Sequence, residues 1–163
     1  MSEMDREAFP NWMQSGVEQG WIGSYEAGML RFLAREYGPL PDTLATVVLF
    51  ALLFVKAGHT RLPLDRHPRE WIAHLALELD SDDVDRETPL PASTDARLAQ
   101  LSDHPVVGSA DDVTPFIIEG SSLYIRRYLQ RERAVSRRLR KLAGREVADF
   151  DRSRVRPVLD RLF

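Results

Sequence analysis

The groups in this chain that could do chemistry are four histidines, a scatter of serines, two acidic pairs and one long basic run. His67 and His74 stand seven apart, which on a helix places them on one face. Pro68 follows His67 directly, so His67 belongs at or before the helix start. A metal site there would need further ligands, for example Asp80, Asp82 or Asp83, which lie past the helix end. Two spaced histidines alone read as structural or surface groups. Ser109, Ser121, Ser122 and His104 could supply a hydrolase triad, but no Gly-x-Ser-x-Gly elbow holds any of the serines. They read as turn and cap residues. Asp82-Asp83 and Asp111-Asp112 lie in Pro- and Ser-rich stretches, whereas acid–base catalysis wants a buried carboxyl, so these read as solvated. The chain has no cysteine, which excludes disulfides, thiolate nucleophiles and cysteine zinc sites. Of its two lysines, Lys56 precedes Ala57 and Lys141 precedes Leu142, so there is no phosphate-gripping Gly-Lys-Ser/Thr loop. The expectation is a chain without catalytic, metal-binding or cofactor-binding residues of its own.

The basic run is the strongest local anomaly. Arg126, Arg127, Arg131, Arg133, Arg137, Arg138, Arg140, Lys141 and Arg145 fall within twenty residues, with Glu132 the one acid among them. At helical spacing Arg127, Arg131, Arg138 and Arg145 share one face, and Arg133, Arg137, Arg140 and Lys141 make a second. One reading is a surface for a protein partner or for DNA phosphates. The other is a solvated helix balanced by the acidic remainder of the chain. Both stay open here. Tyr124 and Tyr128 are the few aromatics available for stacking on bases. The net charge of −3 conceals the segregation: residues 1–125 carry 9 basic and 20 acidic side chains, residues 126–163 carry 13 and 5.

These groups need elements to carry them, and 163 residues with 44% hydrophobic side chains suffice for one globular domain with its own core. The acidic N-terminus lacks a signal-like apolar region, and the longest apolar run, Leu44 to Val55, is too short to span a membrane. The chain therefore reads as cytoplasmic, with no membrane partner. A short helix is expected over Ala8 to Ser15, ending at Gly16. A second, capped by Ser24, carries Ala27, Leu30, Ala34 and Tyr37 on one stripe and stops at Gly38-Pro39. Asp42 or Thr43 caps a third over Leu44 to Val55, apolar on all sides and hence central. Residues 58–64 read as extended, Pro68 to Leu79 as an amphipathic helix, and Ser93 to Leu101 as a short capped one. The segment from Glu78 to Glu87, with six acids, reads as part of a linker-like loop near 78–92. Phe116 to Glu119 and Leu123 to Ile125 flank a Gly-containing turn and read as a β-hairpin. A helix from about Tyr128 to Ala143 follows, then a last one over Arg152 to Phe163, whose uncapped apolar end reads as a cut. The expected fold is mainly α (α+β). A helical bundle, with helices at 25–37, 68–79 and 128–143, wraps the central apolar helix, and a small antiparallel hairpin joins it.

Two stretches together resemble the N-terminal domain of RecD, the alpha subunit of the RecBCD helicase–nuclease (exodeoxyribonuclease V). The first runs from Leu49-Phe50-Ala51-Leu52-Leu53 through Ala57-Gly58-His59-Thr60-Arg61-Leu62-Pro63-Leu64. The second is Thr114-Pro115-Phe116-Ile117-Ile118-Glu119-Gly120, then Leu123-Tyr124-Ile125-Arg126-Arg127-Tyr128 and Glu132. The end, Leu159-Asp160-Arg161-Leu162-Phe163, is similar to the end of that domain.

The resemblance implies one domain over 1–163 whose work is assembly. It implies an ATP- and Mg-dependent helicase motor downstream, RecC-like and RecB-like subunits as partners, and DNA reached through the complex. It implies double-strand break repair and recombination as the setting. The matched motifs carry no catalytic residue. A small helical protein binding nucleic acid through the 126–145 helix is the alternative, and a stand-alone small enzyme comes third.

Overall fold

The computed structural model describes residues 11–75, 91 and 93–144. The acidic 78–87 segment, Arg145 and the helix expected over 152–163 lie outside the described residues. Residues 1–129 form one unit and 130–163 a second. The elements run α1 (Asn11–Glu18), α2 (Ser24–Tyr37), α3 (Asp42–Lys56), β1 (Arg61–Pro63), α4 (Pro68–His74), α5 (Thr94–Ser102), β2 (Val107–Gly108), β3 (Phe116–Glu119), β4 (Ser122–Ile125) and α6 (Arg126–Ala143). The fold is α+β, with helices around a central apolar one and a small sheet.

α3 is that central helix. Every residue from Leu44 to Phe54 is buried, and burying each large apolar side chain contributes about 1.5–3 kcal/mol. Thr46 is buried too, because its hydroxyl donates to the Asp42 carbonyl at 2.8 Å and leaves no unpaired polar atom. Phe50 stacks on Trp12 of α1, ring centres 6.1 Å apart, and lies 5.3 Å from Trp71 of α4.

The sheet order is β1-β4-β3-β2. The expected hairpin is β3–β4, with Glu119 opposite Ser122 across the Gly120-Ser121 turn. Gly120 takes φ +59°, which a two-residue hairpin turn requires and glycine supplies at little cost. Two further strands extend the hairpin, β1 antiparallel on β4 and β2 parallel on β3. Alternation along the strands gives two faces. Phe116 and Leu123 join the main core, while Ile117 and Tyr124 pack with Leu129 on the other side.

Several boundaries differ from the sequence reading. α1 runs through Gly16 instead of ending there. A Cβ on Gly16 would run into the Trp21 ring, so the glycine serves close packing, not termination. Gly23, not Ser24, caps α2, because the Glu26 carboxylate accepts from the Gly23 N–H at 2.8 Å. Pro41 occupies the cap position of α3, ahead of Asp42 and Thr43. α4 spans Pro68–His74 with Leu75 as its cap, and residues 76–79 of the expected helix lie outside the described residues. α6 begins at Arg126, straight out of β4. Leu129 is its one buried side chain.

Candidate interaction surfaces

Among the described residues, the groups weighed for catalysis are not assembled as a triad. Ser109 donates through both its N–H and its hydroxyl to Asp112 Oδ2, each at 2.7 Å. Those bonds, chiefly the hydroxyl, hold the Asp112 carboxyl below its ordinary value of 3.8, with Arg126 adding a smaller pull and desolvation opposing. His104 Nδ1 instead accepts from the Val106 N–H at 3.3 Å. Ser122 is buried in β4 between Pro63 and Glu119. Asp111 and Asp112 are exposed.

His67 caps α4, its Nδ1 accepting from the Arg69 N–H at 3.4 Å. The partner of His74 is not His67 but His59, fifteen residues away, with Nε2···Nε2 at 2.9 Å. Both rings lie against Phe54. Nothing in the sequence signals this pair. Nearby, Trp21, Leu53, Lys56, Ala57 and Leu75 line an open cleft of about 280 Å³, small against the ~300–1,000 Å³ of ligand pockets.

Arg97 is a second group that sequence reading misses. It is 6% exposed on α5. Its Nε donates to Pro91 O at 2.8 Å, and one terminal nitrogen donates to Leu64 O and Arg66 O at 2.7 and 2.6 Å. It ties the chain before α5 to the β1–α4 connection.

In the first unit, α2 displays Tyr25 and Phe32, 54% and 46% exposed and seven residues apart, so they share a face. Gly28 lies between them, and a Cβ placed on it would have nothing within 4 Å. Arg35 packs over the Phe32 ring at 5.6 Å and bonds Glu36 at 2.8 Å. Aromatic side chains of this kind are enriched at protein interfaces.

Of the basic candidates, Arg127 belongs to the first unit and packs on the Tyr128 ring at 4.8 Å, donating to its hydroxyl at 3.0 Å. Arg131, Arg133, Arg137, Arg138, Arg140 and Lys141 lie on α6 in the second unit, all exposed. At 100° per residue they fill one half of the helix, and Val135, Leu139 and Leu142 form a stripe on the other. These three are 58%, 60% and 52% exposed.

The chain matches the family described as RecBCD enzyme subunit RecD, N-terminal domain, over residues 18–124. The chain belongs to this family. The matched stretch runs from the end of α1 to Tyr124 in β4. It takes in the central helix, the whole sheet apart from the last residue of β4, and the Tyr25–Phe32 face. It stops short of α6, so the basic helix lies outside the part that places this chain among RecD N-terminal domains. A search of the curated proteins found no match. Among the described residues no helix is long and apolar enough to cross a membrane.

Proposed function

We propose that this chain is a non-catalytic docking domain of a RecD-like subunit of exodeoxyribonuclease V. It tethers an ATP-dependent helicase motor to RecC-like and RecB-like subunits, in the cytoplasm, during double-strand break repair and recombination. The observation that carries this reading is the RecD N-terminal match over 18–124. Within that stretch, exposed Tyr25 and Phe32 on a rigid helix are the type of rigid aromatic anchor that dominates binding energy at protein interfaces. The 1–163 chain acts as one assembly domain in this reading. The test is co-purification with RecB and RecC. Retention supports docking; loss under conditions that retain a full-length RecD subunit refutes it.

A second reading is favoured by one observation, the exposed basic half of α6 outside the family match. Arg131, Arg133, Arg137, Arg138, Arg140 and Lys141 would contact DNA phosphates, and in sequence Arg127 and Arg145 flank them. Each phosphate neutralised contributes a slope of about −0.9 to log affinity against log salt. Fluorescence anisotropy with labelled duplex at rising salt tests it. A shallow slope, near that of an uncharged surface, counts against it.

A further inference from the structure

We propose that His59 and His74 form a two-nitrogen site for a divalent transition-metal ion of the Cu²⁺ or Ni²⁺ type. The placement of both rings follows from the ends of two helices. α3 closes in a Schellman motif: Gly58, at φ +93°, donates to Val55 O at 3.0 Å, and His59 N–H donates to Phe54 O at 2.9 Å. That motif brings the residue two past the cap onto the residue three from the helix end. Here these are His59 and Phe54, with ring centres 5.4 Å apart. α4 runs beside α3 so that Trp71 meets Phe50 and, one turn on, His74 stacks on Phe54 at 5.2 Å and 19°. Phe54 is 4% exposed, so the plate under both imidazoles is fixed in the core. Trp71 is locked as well, its indole N–H donating to Pro63 O at 2.9 Å.

The imidazoles are exposed at their free edges, and their Nε2 atoms face each other at 2.9 Å. Two nitrogens bound to one ion at about 2.0–2.1 Å stand about 2.9 Å apart when they occupy neighbouring corners of a square. A tetrahedral ion wants about 3.3 Å at the same bond length. The ring centres are 4.6 Å apart with planes at 51°. A straight N–H···N bond would hold them about 5 Å apart or more, so the ring axes bend off the N···N line. Rings aimed at a common third atom bend in this way.

Without metal the pair shares one proton, with one Nε2–H donating to the other Nε2. Binding moves that proton to the Nδ1 of the same ring and frees both Nε2 lone pairs; no electron is transferred. Among the described residues no group of three or more His, Cys, Asp or Glu could hold a metal. The described residues thus supply two imidazole nitrogens to the ion. Imidazole donors without thiolate suit Cu²⁺, Ni²⁺ and Zn²⁺, and the usual affinity order places Cu²⁺ first.

The test is titration of the tag-free full chain with Cu²⁺, followed by electron paramagnetic resonance. The expected result is one tight equivalent with hyperfine structure from two nitrogens. His59→Gln or His74→Gln should each weaken binding by more than ~10-fold, since even groups one shell out move metal affinity 10–100-fold. Both residues are exposed, and circular dichroism checks that each variant is folded. His67→Gln and His104→Gln should bind as the unaltered chain does. Zn²⁺ should compete at the same residues but more weakly. The proposal is overturned if His59→Gln and His74→Gln bind Cu²⁺ as the unaltered chain does. It is also overturned if Zn²⁺ binds the pair more tightly than Cu²⁺.

Discussion

Replacing Arg97 by Met removes the guanidinium and keeps the length of the apolar stem. On an ordinary helix surface such a change moves stability by no more than about 0.5 kcal/mol. Arg97 is not at an ordinary surface. It is 6% exposed and donates to the carbonyls of Leu64, Arg66 and Pro91 at 2.6–2.8 Å. Hydrogen bonds from a charged donor contribute about 1.5–3 kcal/mol each, and a buried acceptor left unpaired costs about 1–3 kcal/mol. The contributions are not additive, because water reaches the Pro91 and Arg66 carbonyls once the side chain is gone; the Leu64 bond is the fully buried one. A loss of about 2–4 kcal/mol is expected, between the loss of one buried bond from a charged donor and the full sum of three. The assay is urea unfolding followed by tryptophan fluorescence. The midpoint should fall with the slope unchanged, the sign of a change in native stability alone. Arg97→Lys should recover part of the loss, since an ammonium can reach a carbonyl but lacks the fixed fork. A loss below ~1 kcal/mol for Arg97→Met would show that these bonds merely replace equivalent ones to water, and would sink the reasoning.

Two glycines in helices should respond to alanine with opposite sign. Gly28→Ala fills open space and should stabilise by up to about 1 kcal/mol. Gly16→Ala drives a Cβ into the Trp21 ring and to 2.6 Å from Ile22 Cδ1, and should destabilise by about 1–3 kcal/mol; thermal melts of the two variants decide both. Ser109→Ala should raise the Asp112 pKa toward its ordinary 3.8, followed by NMR titration of the carboxyl carbon. The sign for stability follows from the depression: Asp112's contribution is complete above its unfolded value and is lost as pH falls through the lower folded one. In Ser109→Ala that acid-side loss should shrink, and an unchanged titration would exclude Ser109 as its main cause.

What is legible in the sequence is mainly local. Leu44 to Val55 announces a central helix because no polar residue interrupts it except Thr46, which bonds back one turn. The β3–β4 hairpin is equally plain from Phe116-Ile117-Ile118 and Gly120. The cap of α2 falls one residue earlier than Ser24 suggests, because Glu26 reaches back to Gly23. Gly16 misleads because a glycine that ends a helix and a glycine that admits a tryptophan look alike in one dimension. Distant pairings leave no trace. Nothing local separates buried Arg97 from exposed Arg35, and His74 gives no hint that its neighbour is His59. The β1–β4 and β2–β3 pairings likewise join segments too far apart for periodicity to connect.

The charge segregation and the family match divide the chain at nearly the same place, and that makes the two functional readings separable. The match ends at Tyr124, and the last buried described residue is Leu129. If docking belongs to the matched fold, Tyr25→Ala with Phe32→Ala should weaken capture of the partner subunits by at least ~10-fold. Anchor residues of this type cost about 2 kcal/mol or more when truncated. The same pair should leave any DNA affinity and its salt slope unmoved. Arg131→Glu with Arg138→Glu should do the reverse under the DNA reading. The slope should shrink by about 0.9 for each phosphate no longer neutralised, with partner capture intact. Both pairs of residues are exposed, so neither change should alter the melting temperature appreciably. Surface plasmon resonance against the partners and anisotropy against duplex, on the two double variants and the unaltered chain, give the two readouts. Should the α6 charges control partner capture while Tyr25 and Phe32 do not, docking would belong to the unmatched basic helix. The family match would then describe a scaffold that presents it.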